Sequence, residues 1–147
     1  MKGIIKTVCI SEAKGTPKVN IGEGLLIEDF GLENDAHAGK WHRQVSLLSW
    51  DKIEAFRRDC HGKTDIPDGA FGENLAVEGI DFASLPVGTV FETGEAVLQL
   101  TQIGKECHDG CIIAKTAGKC IMPTQGVFAI VLKGGRIKIG DVFTVKE

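Results

Sequence analysis

The chain has 147 residues, the usual size of one domain, and its 43% apolar and 25% charged residues supply enough apolar surface for a single core, which excludes a disordered chain. A formal charge of −3 lacks the dense basic face that releases counterions from a phosphate backbone, so no nucleic-acid partner is expected. No apolar stretch approaches the roughly 20 residues of a membrane span, and the opening MKGIIKTVCI is interrupted by Lys6 before it makes the apolar stretch of a signal peptide, so no membrane partner and a cytoplasmic location with reduced thiols are expected.

Gly3 to Ile10 is short and β-branched and reads as a strand; SEAKGTPK, punctuated by Gly15 and Pro17, reads as a loop. GLLIEDFGLENDAHAGKWHRQ then passes from an apolar run into a polar, glycine-marked loop of about a dozen residues, longer than most connections and therefore a place to look for function. A strand is predicted at Gln44 to Leu48. Ser49 can cap a following helix with Asp51 in its first turn, Trp50, Ile53 and Phe56 on one face, and Arg57 and Arg58 near its negative end; Gly62 can stop it. From Asn74 onward the pattern is mainly β: NLAVEGI, a turn at Leu85, Pro86 and Gly88, TVFETG, and AVLQLTQI. CIIAKTAG reads as one or two helical turns. GVFAIVLKGG and RIKIGDVFTV read as a terminal hairpin across Gly134 and Gly135. VGTVF at 87–91 is echoed by IGDVF at 139–143, either as a pseudo-repeat or as two ordinary glycine turns before strands. About seven short strands against one or two helices predict a mainly β fold over a single domain, 1–147: a curled or closed, mostly antiparallel β-barrel with one or two peripheral helices.

Three of the five cysteines fall within KECHDGCIIAKTAGKC, residues 105–120, and an odd total does not suit a disulfide framework. Cys107, His108, Cys111 and Cys120 are the right types for a structural zinc. The Cys107 to Cys111 spacing fits one half of such a site, but no second pair follows, and adjacent Cys107 and His108 tend to diverge. A reactive thiolate needs cations and access instead. Cys107 has Lys105 before it, His108 after it, and an Asp109-Gly110 turn beside it at the end of the AVLQLTQI strand, a setting for a nucleophile or a soft-metal ligand. Cys111 could resolve it as a reversible disulfide. Cys9 reads as a small buried apolar side chain, and Cys60, Cys111 and Cys120 also fit that reading.

Elsewhere, Asp35 and His37 lie two apart in a glycine-flanked loop, as turn caps or as site groups; Arg43 can hold a phosphate or carboxylate, and Gln44 opens the next strand. Gly72-Glu73-Asn74 reads as a tight turn, with Asn74 able to line a pocket. Lys115, Lys119, Lys133 and Arg136 could together attract an anionic phosphate, but four scattered charges read first as a solvated face.

TQIGKECH at 101–108 resembles the strand-end motif of MOSC domains, the family named for the C-terminal domain of molybdenum cofactor sulfurase, and Cys107 falls on that motif's functional cysteine. GLENDAHAG with HRQVSLLS, GAFGENLAVEGID, LPVGTVFETGEAVLQLTQ and GRIKIGDVF resemble further family segments in order, and the cysteine segment resembles the small stand-alone branch. The resemblance implies that Cys107 accepts sulfur as a persulfide from a cysteine desulfurase, whose pyridoxal phosphate belongs to that partner, and passes it to a molybdenum-cofactor or metal-sulfur acceptor protein. Lys105 and His108 would stabilise the anion. It also implies a second possibility, in which Cys107 ligates molybdenum of the pterin cofactor in a pocket near Asp35, His37, Arg43, Gln44 and Asn74, and the metal reduces N-hydroxylated compounds. A non-enzymatic, zinc-stabilised binding module is the competing class.

Overall fold

The long strand β1 (Lys2–Ile10) sets the frame, because its alternating burial presents Gly3, Ile5 and then Val8 inward. The computed structural model describes residues 1–14, 16–59, 66–104 and 126–146. After β1 come β2 (Val19–Asn20), β3 (Glu23–Ile27), β4 (Gly31–Leu32) and β5 (Val45–Ser49), then helix α1 (Trp50–Asp59) and β6 (Leu75–Glu78). A short 3-10 turn, Phe82–Ser84, leads to β7 (Val90–Thr93), β8 (Ala96–Ile103), β9 (Val127–Lys133), β10 (Gly135–Lys138) and β11 (Val142–Val145). Among the described residues no helix is long and apolar enough to cross a membrane.

The strands pair in the order β11-β7-β8-β9-β5-β6-β1, and pairing of β1 with β11 closes the ring into a seven-stranded barrel. Closure removes the exposed edges that an open sheet presents. Every neighbouring pair is antiparallel except β5 with β6, so the expected closed, mostly antiparallel barrel is the observed one. β2 extends β1, and a small sheet, β10-β3-β4, packs beside the barrel. The one parallel pair is joined by the segment that contains α1, as parallel strands require a crossover.

Inside the barrel, Phe82 meets Phe91 and Phe143 edge-on at ring separations of 5.5 and 5.7 Å, within an apolar core to which every barrel strand contributes. On the outside, Ile53 and Phe56 of α1 join Ile66 and Phe71 to cover Leu48, Ala76 and Phe128. The helical periodicity read from the sequence thus identifies the buried face, with Trp50 half-buried beside it; Ser49 is the last residue of β5. Arg57 ties the helix to the segment after it, bonding Glu54 at 2.6 Å and Asp68 at 3.1 Å. Gly62, the predicted stop, and the helical turns predicted in CIIAKTAG lie outside the described residues.

The predicted terminal hairpin is corrected. β9 pairs with β8 and β5, whereas β10 pairs with β3 and β11 with β1 and β7. The glycine pair between β9 and β10 serves close passage instead of a reversal: a Cβ on Gly134 would lie 2.6 Å from the Leu26 carbonyl oxygen, and one on Gly135 would lie 2.8 Å from the Ala96 nitrogen. The echo between VGTVF and IGDVF has a structural counterpart. Gly88 and Gly140 both take positive φ, 99° and 97°, in turns closed by Thr89 N–H to Pro86 O and Asp141 N–H to Lys138 O, and the strands that follow pair with each other.

Candidate functional site

A buried ion pair among the described residues comes from two loops that the sequence pattern leaves apart. Lys18 directly precedes β2 and Asp35 follows β4, yet their side chains meet at 2.7 Å and both are almost wholly removed from solvent. Removing two ions from water is costly, so each needs a full set of partners. Asp35 has them: its Oδ1 also accepts the N–H of Ser11 at 3.0 Å, and its Oδ2 accepts Asn74 Nδ2 at 3.1 Å. Burial pushes the Asp35 carboxyl up, but the bonds from Lys18, Ser11 and Asn74 outweigh it and hold the group below its ordinary value. Lys18 Nζ also reaches Ser11 Oγ at 3.3 Å and His37 Nδ1 at 3.2 Å.

Asn74, immediately before β6, locks this cluster to the barrel. Its Oδ1 accepts the N–H of Ser46 at 2.9 Å, and its Nδ2 donates to the Cys9 carbonyl at 2.9 Å as well as to Asp35. The turn leading to it passes so close to Lys18 that a Cβ on Gly69 would sit 2.4 Å from the Lys18 carbonyl oxygen, and Gly69 has φ +83°. Only glycine fits that position without strain.

Glu73 fills the inside of the same turn. Its two carboxyl oxygens accept the N–H groups of Phe71 at 3.0 Å and Gly69 at 3.2 Å. Burial pushes its carboxyl up to about 7 against the pull of the backbone N–H groups of Glu73, Phe71 and Gly69. Burial, reinforced by Glu73, likewise raises the Cys9 thiol to about 12, so Cys9 is a protonated core side chain, as its apolar setting in the sequence predicts.

These shifts predict a stability window. Glu73, with a folded value above the ordinary 4.5, contributes stability that is complete below pH 4.5 and lost as pH rises through about 7. Asp35, depressed below 3.8, contributes stability that is present above that value and lost as pH falls through its folded value. Urea unfolding should therefore show stability falling by about 3 kcal/mol between pH 5 and 8 on account of Glu73, with the slope flattened in Glu73→Gln. A wild-type profile flat over that range would contradict the buried, proton-binding role.

A second group lies at the C-terminal end of β8. Thr101 Oγ1 donates to the His42 carbonyl and Gln102 Oε1 meets His42 Nε2 at 2.8 Å and Arg43 Nε at 3.2 Å. The Arg43 guanidinium stacks over Phe128 at 5.1 Å and lies 6.0 Å from the Trp41 ring. Among the described residues no carboxylate pairs with it, which leaves a stiff, aromatic-flanked cation able to take an anion. Trp41 Nε1 donates to the His37 carbonyl at 3.0 Å and so connects the two groups.

The structure therefore gathers Asp35, His37 and Asn74 in one network and places Arg43 in a second one linked to it. Gln44 lies elsewhere: its amide bridges Asp29 at 2.9 Å and the Val131 N–H at 2.9 Å, tying the turn after β3 to β9. Lys133 and Arg136 are exposed, as a solvated face predicts. Lys105, Cys107 and His108, like Cys60, Cys111, Cys120, Lys115 and Lys119, lie outside the described residues; Gly104 N–H donates to Gly126 O at 2.6 Å. Among the described residues no group of three or more His, Cys, Asp or Glu side chains could hold a metal ion.

Sequence reasoning missed Lys18, Ser11, Ser46 and the burial of Glu73. SEAKGTPK reads as a loop and Gly72-Glu73-Asn74 as a tight turn, and nothing in either run marks a charge that will be enclosed. Gln102 stands in TQIGKECH, the segment quoted for the family resemblance.

Comparison with known proteins adds the family. The MOSC domain family pattern matches residues 34–144, a span that contains Asp35, His37, Arg43, Asn74 and Cys107. Protein YiiM of Escherichia coli K12 is 26% identical over 97 residues; that match spans 62% of this chain and 43% of YiiM, less than half the length of that relative. Among solved structures, the YUAD protein of Bacillus subtilis superposes with a TM-score of 0.75 at 19% identity, covering 97% of this chain and 94% of that one. YiiM from Geobacillus stearothermophilus gives 0.72 at 16% identity over 100% of this chain and 76% of that one, and the YiiM structure from E. coli gives 0.69 at 19% over 100% and 70%. These structural likenesses establish a shared fold. A family pattern running from the loop of Asp35 through the strand end at Gln102 to β11 shows that this chain belongs to the MOSC domain family.

Proposed function

We propose that this MOSC domain carries sulfur on Cys107 for assembly of a metal-sulfur centre of the molybdenum-cofactor type. The Cys107 thiolate attacks the terminal sulfur of a persulfide held on a cysteine desulfurase. A new S–S bond forms to Cys107, the donor's S–S bond breaks, and the donor cysteine leaves as a thiolate, so the transfer needs no outside oxidant or reductant. Lys105 and His108 stabilise the anion. Pyridoxal phosphate stays with the desulfurase, and the chemistry requires a reducing compartment such as the cytoplasm. The observation that carries this reading is the strand end: His42 and Arg43 converge on Gln102, five residues before Cys107 in the sequence, and set a guanidinium at the end of β8.

The aromatic-flanked guanidinium of Arg43 favours a second reading, direct binding of the pterin cofactor. An anionic group attached to a planar ring suits such a cation, so Arg43 would hold the cofactor's phosphate and Cys107 would ligate its metal. When bound, the molybdenum would supply the redox chemistry for reducing N-hydroxylated compounds.

Incubation with a cysteine desulfurase and radiolabelled cysteine tests the sulfur reading. Label resistant to gel filtration but released by dithiothreitol is expected on wild type, Cys111→Ser and Cys120→Ser, and is expected to vanish in Cys107→Ser. Equal label on Cys107→Ser would overturn it.

A further inference from the structure

We propose that Lys18 is a positioning residue that fixes His37 as its Nε2–H tautomer, so that His37 serves the site as a hydrogen-bond donor and not as a proton acceptor. An ammonium group has three donors and no acceptor, so every atom it meets must offer a lone pair. Lys18 Nζ meets three such atoms, Asp35 Oδ1 at 2.7 Å, His37 Nδ1 at 3.2 Å and Ser11 Oγ at 3.3 Å. His37 Nδ1 must therefore be unprotonated, and the ring proton of the neutral imidazole sits on Nε2.

Ser11 does not alter that outcome. Its hydroxyl lies 3.3 Å from both Asp35 Oδ1 and His37 Nδ1. Whichever one receives the hydroxyl proton, Nδ1 remains an acceptor. Lys18 cannot swing away to relieve the arrangement, because its partner Asp35 is held by Ser11 N–H and Asn74 Nδ2, and the turn at Gly69 presses on its backbone. The His37 backbone is fixed too, through its carbonyl and Trp41 Nε1 at 3.0 Å. A ring held at one nitrogen, on a backbone held at its carbonyl, is the arrangement by which a supporting group sets the tautomer of a working histidine.

A buried ion pair is weak evidence of a purely stabilising role, since apolar side chains of similar volume often do as well. What an apolar pair cannot supply is the donor set at His37 Nδ1. With Nδ1 accepting, the ring presents only a donor at Nε2, so a group that meets His37 there must be an acceptor; that conclusion does not rest on the sulfur reading.

The test is nitrogen-15 NMR of histidine-labelled full-length protein at neutral pH, with the His37 signals assigned by their loss in His37→Gln. Wild type is expected to show His37 as a neutral ring protonated at Nε2. Lys18→Met, if folded by circular dichroism, is expected to shift His37 toward a mixture of tautomers or the imidazolium. An Nδ1–H ring or an imidazolium in wild type would overturn the proposal, as would unchanged His37 signals in folded Lys18→Met. Should Lys18→Met fail to fold, the wild-type spectrum decides alone. Because the readout requires no sulfur transfer, a failed loading assay leaves this result standing, and the reverse also holds.

Discussion

Lys18→Met is expected to lower the free energy of unfolding by about 3–5 kcal/mol, because it leaves the Asp35 carboxylate buried without its counter-ion. The size comes from burial: both side chains are enclosed, so water cannot screen the orphaned charge as it would at the surface. Lys18→Met combined with Asp35→Leu should recover part of that loss, since the second change removes the charge itself. Recovery is partial because Ser11 N–H loses its acceptor and Asn74 Nδ2 keeps only the Cys9 carbonyl. Urea denaturation of the two single variants and the double variant checks this. Losses that simply add would contradict a coupled buried pair.

Asn74→Ala is expected to cost about 3 kcal/mol or more, each buried group left without a partner contributing about 1–3 kcal/mol. The Ser46 N–H loses its side-chain acceptor, and Asp35 Oδ2 and the Cys9 carbonyl lose a shared donor. Asn74→Asp should be no better, because the new oxygen would face two acceptors where an amide now donates. A thermal melt of Asn74→Asp at neutral pH within a degree or two of wild type would contradict this assignment of the amide.

The barrel was legible because its strands are short alternating runs set between glycine and proline turns, and that pattern survives the folding of neighbours around it. Helix α1 was legible for the same kind of reason, its apolar side chains recurring at Trp50, Ile53 and Phe56. The parallel pairing of β5 with β6 was not legible, since periodicity marks a strand but not its partner. Gly134 and Gly135 misled because a glycine pair signals both a reversal and a close passage; the deciding fact, the Leu26 carbonyl lying under Gly134, comes from β3, far away in the chain.

The candidate site divides along the same line. Asp35, His37, Arg43 and Asn74 stand in runs whose residue types invite attention. Lys18 does not, because its burial depends on Asp35, seventeen residues on, and on a turn at Gly69 that no local pattern links to it. Gln44 shows the converse, a polar side chain at a strand entrance whose amide is committed to Asp29 and the Val131 backbone.

The most direct test of the central claim is native mass spectrometry of protein prepared without oxygen and exposed to a cysteine desulfurase with cysteine. One added sulfur is predicted on wild type, localised to Cys107 by peptide mapping and absent from Cys107→Ser. A sulfur adduct that persists in Cys107→Ser, or stoichiometric zinc whose removal by a chelator unfolds the protein and no sulfur at Cys107, would contradict it.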